Sequence, residues 1–192
     1  MDRLSDIPKD TVKPRLDPRY DHLENVHCPR IEGTERVAEG YLEYTIDESR
    51  TEGKIPERIY FPTNTEEVSS ALAEITSRDE QVTVSGARTG IVGGAVCNTP
   101  NVISLEKLLL QKNASFDSER GRITTGAGTI LSDLGKLIPD SSRLFYPVDP
   151  TETSASVGGT VATNASGAKT LAYGPTRAWI EGLTLRISTS DP

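Results

Sequence analysis

The sequence predicts an α+β chain built on a parallel βαβ unit, and three observations carry that prediction. Ile59, Tyr60 and Phe61 form a short run of β-formers stopped by Pro62, after which Asn64 stands as a helix cap with Glu67 placed to complete a capping box. Val68, Ala71, Leu72 and Ile75 then recur at helical spacing, so one face of that helix packs on a sheet. The alternating residues Val82, Thr83 and Val84 follow at once and run into a tight loop of small residues. Strand, helix and strand in this compass make parallel strands, whose carboxyl edge is where ligands bind.

Before this unit the chain reads differently. Residues 1–55 are predicted to be a polar N-terminal arm with a weak helix: Pro8, Pro14, Pro18 and Pro29 interrupt its beginning, and Val37, Tyr41 and Leu42 give a faint helical pattern between Thr34 and Tyr44. His22, His27 and Cys28 lie in this arm without the clustered spacing that a metal site needs. After the unit, Val102 to Leu105 predicts another strand. Arg122 to Thr125 alternates as a further strand and passes through Gly126, Ala127 and Gly128 into a helix from about Leu131 to Ile138. A third glycine and a distal acidic residue are missing, so this is a strand-to-helix turn and not a Rossmann fingerprint. A short helix is expected at Val157 to Thr163, and Trp179, Ile180, Leu183, Leu185 and Ile187 mark a closing strand.

Composition bounds the function. The 192 residues suit one domain with an extension, 35% are hydrophobic and 26% charged. No run approaches the roughly 18 apolar residues of a membrane span, and Met1 is followed by DRLSDIPKD and not by a signal peptide, so the expected location is cytoplasmic with no transmembrane segment. Cys28 and Cys97 show no metal or redox spacing and are expected as reduced thiols. A net charge of −7 with scattered lysines and arginines excludes a nucleic-acid surface.

Two stretches are dense in small residues. The first, VTVSGARTGIVGGAV from Val82 to Val96, leaves its strand through Ser85, Gly86, Ala87, Arg88, Thr89 and Gly90. Glycines allow consecutive N–H groups to turn to one side, and such a concave row of donors binds phosphate oxygens. The second, FYPVDPTETSASVGGTVATNASGAKTLAYG from Phe145 to Gly174, is too poor in large apolar residues for an ordinary core. Its composition suits backbone lying against a flat or extended ligand, with Thr163, Asn164 and Ser166 able to hydrogen-bond it.

In order along the chain, IYFPTNTEEV, SGARTGIVGGAV, PVDPTETSASVGGTVATNASG and YGPTRAWIEGLTLRI resemble the FAD-binding domain of the vanillyl-alcohol oxidase and p-cresol methylhydroxylase (PCMH-type) superfamily. The likeness runs from about Pro56 to Thr189 and is strongest to the branch with D-lactate dehydrogenases and the glycolate oxidase flavoprotein subunit. It implies a small parallel βαβ subdomain followed by the start of a second, mainly antiparallel subdomain, truncated, with residues 56–192 as an incomplete flavin domain. It implies FAD held through Ser85, Gly86, Ala87, Arg88, Thr89 and Gly90 at the pyrophosphate. At the isoalloxazine and ribityl chain it implies Pro147, Asp149, Gly158, Gly159, Thr163, Asn164, Gly167, Tyr173 and Gly174. The reaction implied is hydride transfer from a 2-hydroxy acid to flavin. The partners implied are the missing C-terminal flavin-domain and cap segment, or a separate subunit supplying it, and an electron-accepting iron–sulfur protein, with any membrane association made through a partner.

Two departures from that family are visible. Arg88 stands where many relatives have glycine, at a cost of about 1 to 2 kcal/mol if the position needs positive φ, although its guanidinium can pair with phosphate. Thr89 stands where relatives with covalently tethered FAD have histidine, so the flavin is expected to be noncovalent. No histidine follows His27, and no general base is assigned. A noncatalytic nucleotide-binding or partner-docking module is the alternative reading. A UDP-N-acetylenolpyruvoylglucosamine reductase-like enzyme ranks third. Truncation is expected to leave a sheet edge near Leu183 to Ile187 open to self-association.

Overall fold

Each strand of the main sheet is short, and what fixes it is the alternation of residues between two apolar layers. In the computed structural model, which describes residues 26–108, 114–148 and 150–186, four strands lie side by side. They are β1 (Arg30–Glu32), β2 (Arg58–Tyr60), β3 (Val82–Ser85) and β4 (Asn101–Ser104), in the order β1-β2-β4-β3. β1 runs antiparallel to β2, while β2 and β3 both run parallel to β4. Successive side chains of a strand face opposite ways. Ile59 and Val102 therefore join Val37, Tyr44, Phe61 and Cys97 on one face, and Tyr60 and Ile103 join Cys28, Ala71 and Ile75 on the other. All four residues of β4 are buried, as expected of a central parallel strand covered on both faces. Truncating Ile103 to alanine should cost about 2 to 5 kcal/mol.

The two layers come from different parts of the chain. Helix α1 (Thr34–Gly40) and a 3₁₀ turn (Leu42–Thr45) supply Val37 and Tyr44. The segment expected to be an arm thus contributes an edge strand and core residues from Cys28 onward. Helix α2 (Thr65–Ser77) covers the other face with Val68, Ala71 and Ile75. The Asn64 cap is as expected, its side chain accepting from Glu67 N at 2.8 Å, but Glu67 closes no capping box on Asn64 and instead accepts from Thr63 N through Oε2 at 2.7 Å, one residue earlier. It ends in a Schellman turn, with Asp79 at φ 54° and Glu80 N donating to Ile75 O.

A two-stranded hairpin of β5 (Ser115–Asp117) and β6 (Arg122–Thr124) follows. It leads through Gly126–Gly128 into α3 (Leu131–Leu134), which tightens to a 3₁₀ turn at Gly135–Leu137 where a longer helix was expected. Two short helices, α4 (Val157–Ala162) and α5 (Thr170–Tyr173), precede a 3₁₀ turn at Thr176–Trp179. Where the closing strand was expected, residues 181–186 are exposed and pair with no strand among the described residues, and Ile187 lies outside the described residues. Without a neighbouring strand this segment has no ladder to stabilise it. No helix among the described residues is long and apolar enough to cross a membrane.

Candidate functional site

Because β2, β3 and β4 are parallel, the loops that follow them emerge on one edge of the sheet. The opposite edge is closed by charge: Arg58 pairs with Glu32 and Glu80, and Asn101 Nδ2 donates to Glu80 Oε2 at 2.9 Å. At the carboxyl edge, Leu105 N donates to Ser85 O at 2.9 Å and so holds the root of the loop after β3 against the turn after β4.

From Gly86 to Ala95 the main-chain amides donate to no carbonyl or side chain among the described residues. Ile91, Val92 and Gly94 are exposed to water, but Gly86 to Gly90 are half-buried, and amides without partners there are costly unless something accepts from them. Ser85 is fully buried and its Oγ has no hydrogen-bond partner among the described residues. A Cβ at Gly90 or Gly94 would meet open space. This loop offers unpartnered amide donors and, at its root, an orphaned hydroxyl, a donor set that fits the oxygens of a diphosphate.

Arg88 takes the left-handed conformation at φ 60°, where a side chain is strained. Its guanidinium carbon lies 4.4 Å from the centre of the Tyr44 ring. Glu106 Oε2 stands 3.8 Å from Nη1, beyond hydrogen-bond reach, and Nη1 is buried with no hydrogen-bond acceptor among the described residues. The pair is therefore electrostatic, and the guanidinium keeps unused donors.

The second small-residue stretch meets this loop at one place. Ser156 caps α4, its Oγ accepting from Gly159 N at 3.3 Å, and a Cβ built on Gly86 would stand 2.5 Å from that same oxygen. Behind it, Val157 N donates to Thr129 O, Leu131 N to Ala155 O and Ser132 N to Thr153 O, which stitch the stretch to the turn after β6. Gly158 lies so close to Ala127 that a Cβ would stand 2.8 Å from the alanine methyl, and a Cβ on Gly128 would collide with Leu105 O. The Gly126–Gly128 turn is the strand-to-helix turn expected, and Gly128 serves close backbone packing.

Other expected site residues lie further along. Pro147 is buried, and Asp149 lies outside the described residues. Thr163 closes α4 by donating from Oγ1 to Gly159 O at 2.9 Å. Asn164, at φ 49°, accepts from Arg177 N through Oδ1, and Gly167 N donates to Thr170 Oγ1 at 2.7 Å. Tyr173 packs edge-on against Phe145 with ring centres 5.7 Å apart, and Gly174 ends α5 at φ 80°. A cleft of about 600 Å³ opens nearby, lined by Leu131, Leu144, Phe145, Tyr146, Val148 and Lys169 among others. The structure thus joins Ser85–Gly90 to Ser156–Gly159, while Asn164 to Gly174 are tied mainly to one another and to residues 176–179. Ser156, Tyr44 and Glu106 were not anticipated. Only Ser156 had a signal, as a serine directly before a helical run.

Comparison with known proteins agrees with this fold. Residues 56–189 match the family model described as FAD binding domain. The chain is 39% identical over 151 residues to D-lactate dehydrogenase of Anaerostipes hadrus, covering 78% of this chain and 31% of that protein. It is 37% identical over 138 residues to D-2-hydroxyglutarate dehydrogenase of Xanthomonas citri pv. viticola, covering 71% and 29%. The glycolate oxidase subunit GlcD of Bacillus subtilis is 29% identical over 153 residues, covering 79% and 32%. Among solved structures, alkyldihydroxyacetonephosphate synthase superposes with a TM-score of 0.64 at 18% identity over 88% of this chain and 33% of that one. For 6-hydroxy-D-nicotine oxidase of Arthrobacter nicotinovorans the TM-score is 0.61 at 17% identity, over 79% and 32%. These structures share the PCMH-type flavin fold, and the chain spans about a third of the length of the relatives it matches. With the family model covering most of its length and a donor-lined loop at the carboxyl edge of its parallel strands, this chain belongs to the FAD binding domain family.

Proposed function

We propose that this chain is the FAD-binding portion of a flavin-dependent oxidoreductase acting on a 2-hydroxy acid of the D-lactate or glycolate kind, with the flavin held noncovalently. The observation that carries the reading is the run of unpartnered amides from Gly86 to Ala95, joined at Gly86 to the second small-residue stretch through Ser156. The names of the relatives, dehydrogenases of D-lactate and D-2-hydroxyglutarate, support the substrate class.

Bound FAD would supply the two-electron acceptor for the hydride of the substrate carbinol carbon. The residues of this chain do the holding. Amides of Gly86, Ala87, Arg88, Thr89 and Gly90 surround the diphosphate, Ser85 Oγ gains an acceptor, and Arg88 offers charge-assisted hydrogen bonds. Pro147, Gly158, Gly159, Thr163, Asn164, Gly167, Tyr173 and Gly174 form the wall toward the ring and ribityl chain, and Asp149, which lies outside the described residues, is assigned the same role. Thr89 has no imidazole nitrogen with which to tether the ring, which supports a noncovalent cofactor. Residues 56–192 act as the flavin domain, with residues 26–55 packed upon it. Substrate-binding groups and the proton acceptor come from polypeptide beyond this chain or from a separate subunit, with an iron–sulfur protein taking the electrons. The assembly works in the cytoplasm or at a membrane through that partner.

The test is competition. FAD binding to this chain, followed by flavin fluorescence, should be displaced by ADP, which carries the diphosphate, and hardly by riboflavin, which lacks it. Displacement by riboflavin alone would overturn the assignment of the loop. In the assembled enzyme, anaerobic D-lactate or glycolate should bleach the flavin absorbance; absence of bleaching with any 2-hydroxy acid would overturn the substrate class.

A further inference from the structure

The matched flavin domain begins at residue 56, yet the preceding segment reaches the glycine-rich loop. Lys54 N donates to Cys97 O at 2.6 Å, and a Cβ on Gly93 would stand 3.7 Å from Ser49 Oγ. Within this segment Tyr44 is 1% exposed and lies beneath Arg88, with the guanidinium carbon 4.4 Å from its ring centre. Tyr44 is itself held firmly. Its hydroxyl donates to Ser104 Oγ at 3.0 Å, and its ring packs edge-on against Phe61 with centres 6.0 Å apart.

We propose that Tyr44 is a positioning residue for the cofactor site, its ring fixing the plane of the Arg88 guanidinium so that the arginine's free donors meet a diphosphate. The inference rests on reading the loop as a diphosphate cradle. A guanidinium stacked on an aromatic face is attracted by the ring quadrupole while its N–H groups stay in the guanidinium plane, available to an acceptor. Glu106, at 3.8 Å, adds an opposite charge without taking a hydrogen bond. Without the ring, a long side chain on a loop would lose rotamer freedom at the moment of binding, and affinity would fall.

The test is a double-mutant cycle read by calorimetric titration of the full chain with ADP. Tyr44→Leu should weaken ADP binding about 5- to 20-fold, whereas Tyr44→Phe, which keeps the ring, should stay within about twofold of the parent. In an Arg88→Gly background, Tyr44→Leu should cause no further loss. Ring-current shifts check the stack without ligand: the Arg88 Hδ protons should resonate upfield in the parent and in Tyr44→Phe. Equal losses from Tyr44→Leu in both backgrounds, or unshifted Hδ protons in the parent, would overturn the inference. If Tyr44→Leu does not fold, Arg88→Lys decides, since it keeps charge but loses the planar fork; parental ADP affinity in that variant would overturn the proposal. Failure of the parent to bind either ADP or FAD would overturn the cradle reading itself, and is distinguished by being independent of Tyr44.

Discussion

A Cβ added to Gly86 would stand 2.5 Å from the Oγ of Ser156, closer than a carbon and a hydroxyl oxygen can approach. That contact ties the loop after β3 to the start of α4, and it does so through the hydroxyl that caps α4. Gly86→Ala should therefore displace the cap and destabilise the chain by about 1 kcal/mol or more. Ser156→Ala should cost about 0.5 to 2 kcal/mol alone. The double variant should be no less stable than Ser156→Ala, because the Ser156 Cβ lies at an ordinary 3.7 Å from the added carbon. Urea denaturation of the four proteins measures this coupling; additive losses would show that the two residues do not share a contact.

Arg88 combines a strained backbone with a stacked side chain. Replacing it with glycine should relieve about 1 kcal/mol of strain at φ 60° and forfeit about 0.5 to 1 kcal/mol of stacking on Tyr44. Thermal stability should hence change little, while FAD affinity falls about tenfold through loss of a charge-assisted phosphate contact. A gain in affinity would remove Arg88 from the site.

Acid should weaken the edge of the sheet opposite the site. The side-chain hydrogen bond from Arg58, with help from Arg30, holds the Glu32 carboxyl below its usual value of 4.5. A depressed folded pKa means stabilisation that is present above the unfolded value and lost as pH falls through the folded one. The thermal midpoint should drop as pH falls below 4.5, and Glu32→Gln should reduce that part of the dependence. Because Glu32 is exposed, salt should shrink the difference between the two proteins. An unchanged acid slope in Glu32→Gln would contradict the assignment.

Both thiols should be silent in the native chain. Burial, with Glu67 nearby, pushes Cys28 up to about 12, and burial likewise raises Cys97. Neither should react with a thiol reagent at neutral pH until the protein unfolds. A raised folded pKa also means stability that is complete below the unfolded value of 9.0 and declines as pH rises through the folded one. Rapid labelling of either cysteine in the folded chain would contradict the packing of Cys28 on Ile75 and of Cys97 on Val102.

The β2–α2–β3 unit was legible in the sequence because cap, helical period and strand alternation agree there over adjacent residues. The two small-residue stretches were legible as candidate binding backbone for the same local reason. β1 was not, since Arg30 and Glu32 flank a single apolar residue and its pairing with β2 is decided by a neighbour distant in sequence. The closing strand misled because Leu183 and Leu185 carry a strand pattern that no described neighbour pairs with. Tyr44 and Glu106 gave no signal at all, since what brings them to Arg88 is the stacking of α1 and its 3₁₀ turn on the sheet and the parallel register of β3 with β4.

Amides of Gly86–Gly90, with α4 beside them, are proposed to hold the diphosphate of FAD. Thermal unfolding of this chain with increasing FAD tests it most directly, since a ligand bound only by the folded state must raise the midpoint. The midpoint should climb with FAD and with ADP, and acid precipitation should release flavin into solution. A midpoint that stays fixed at saturating concentrations of both would contradict it.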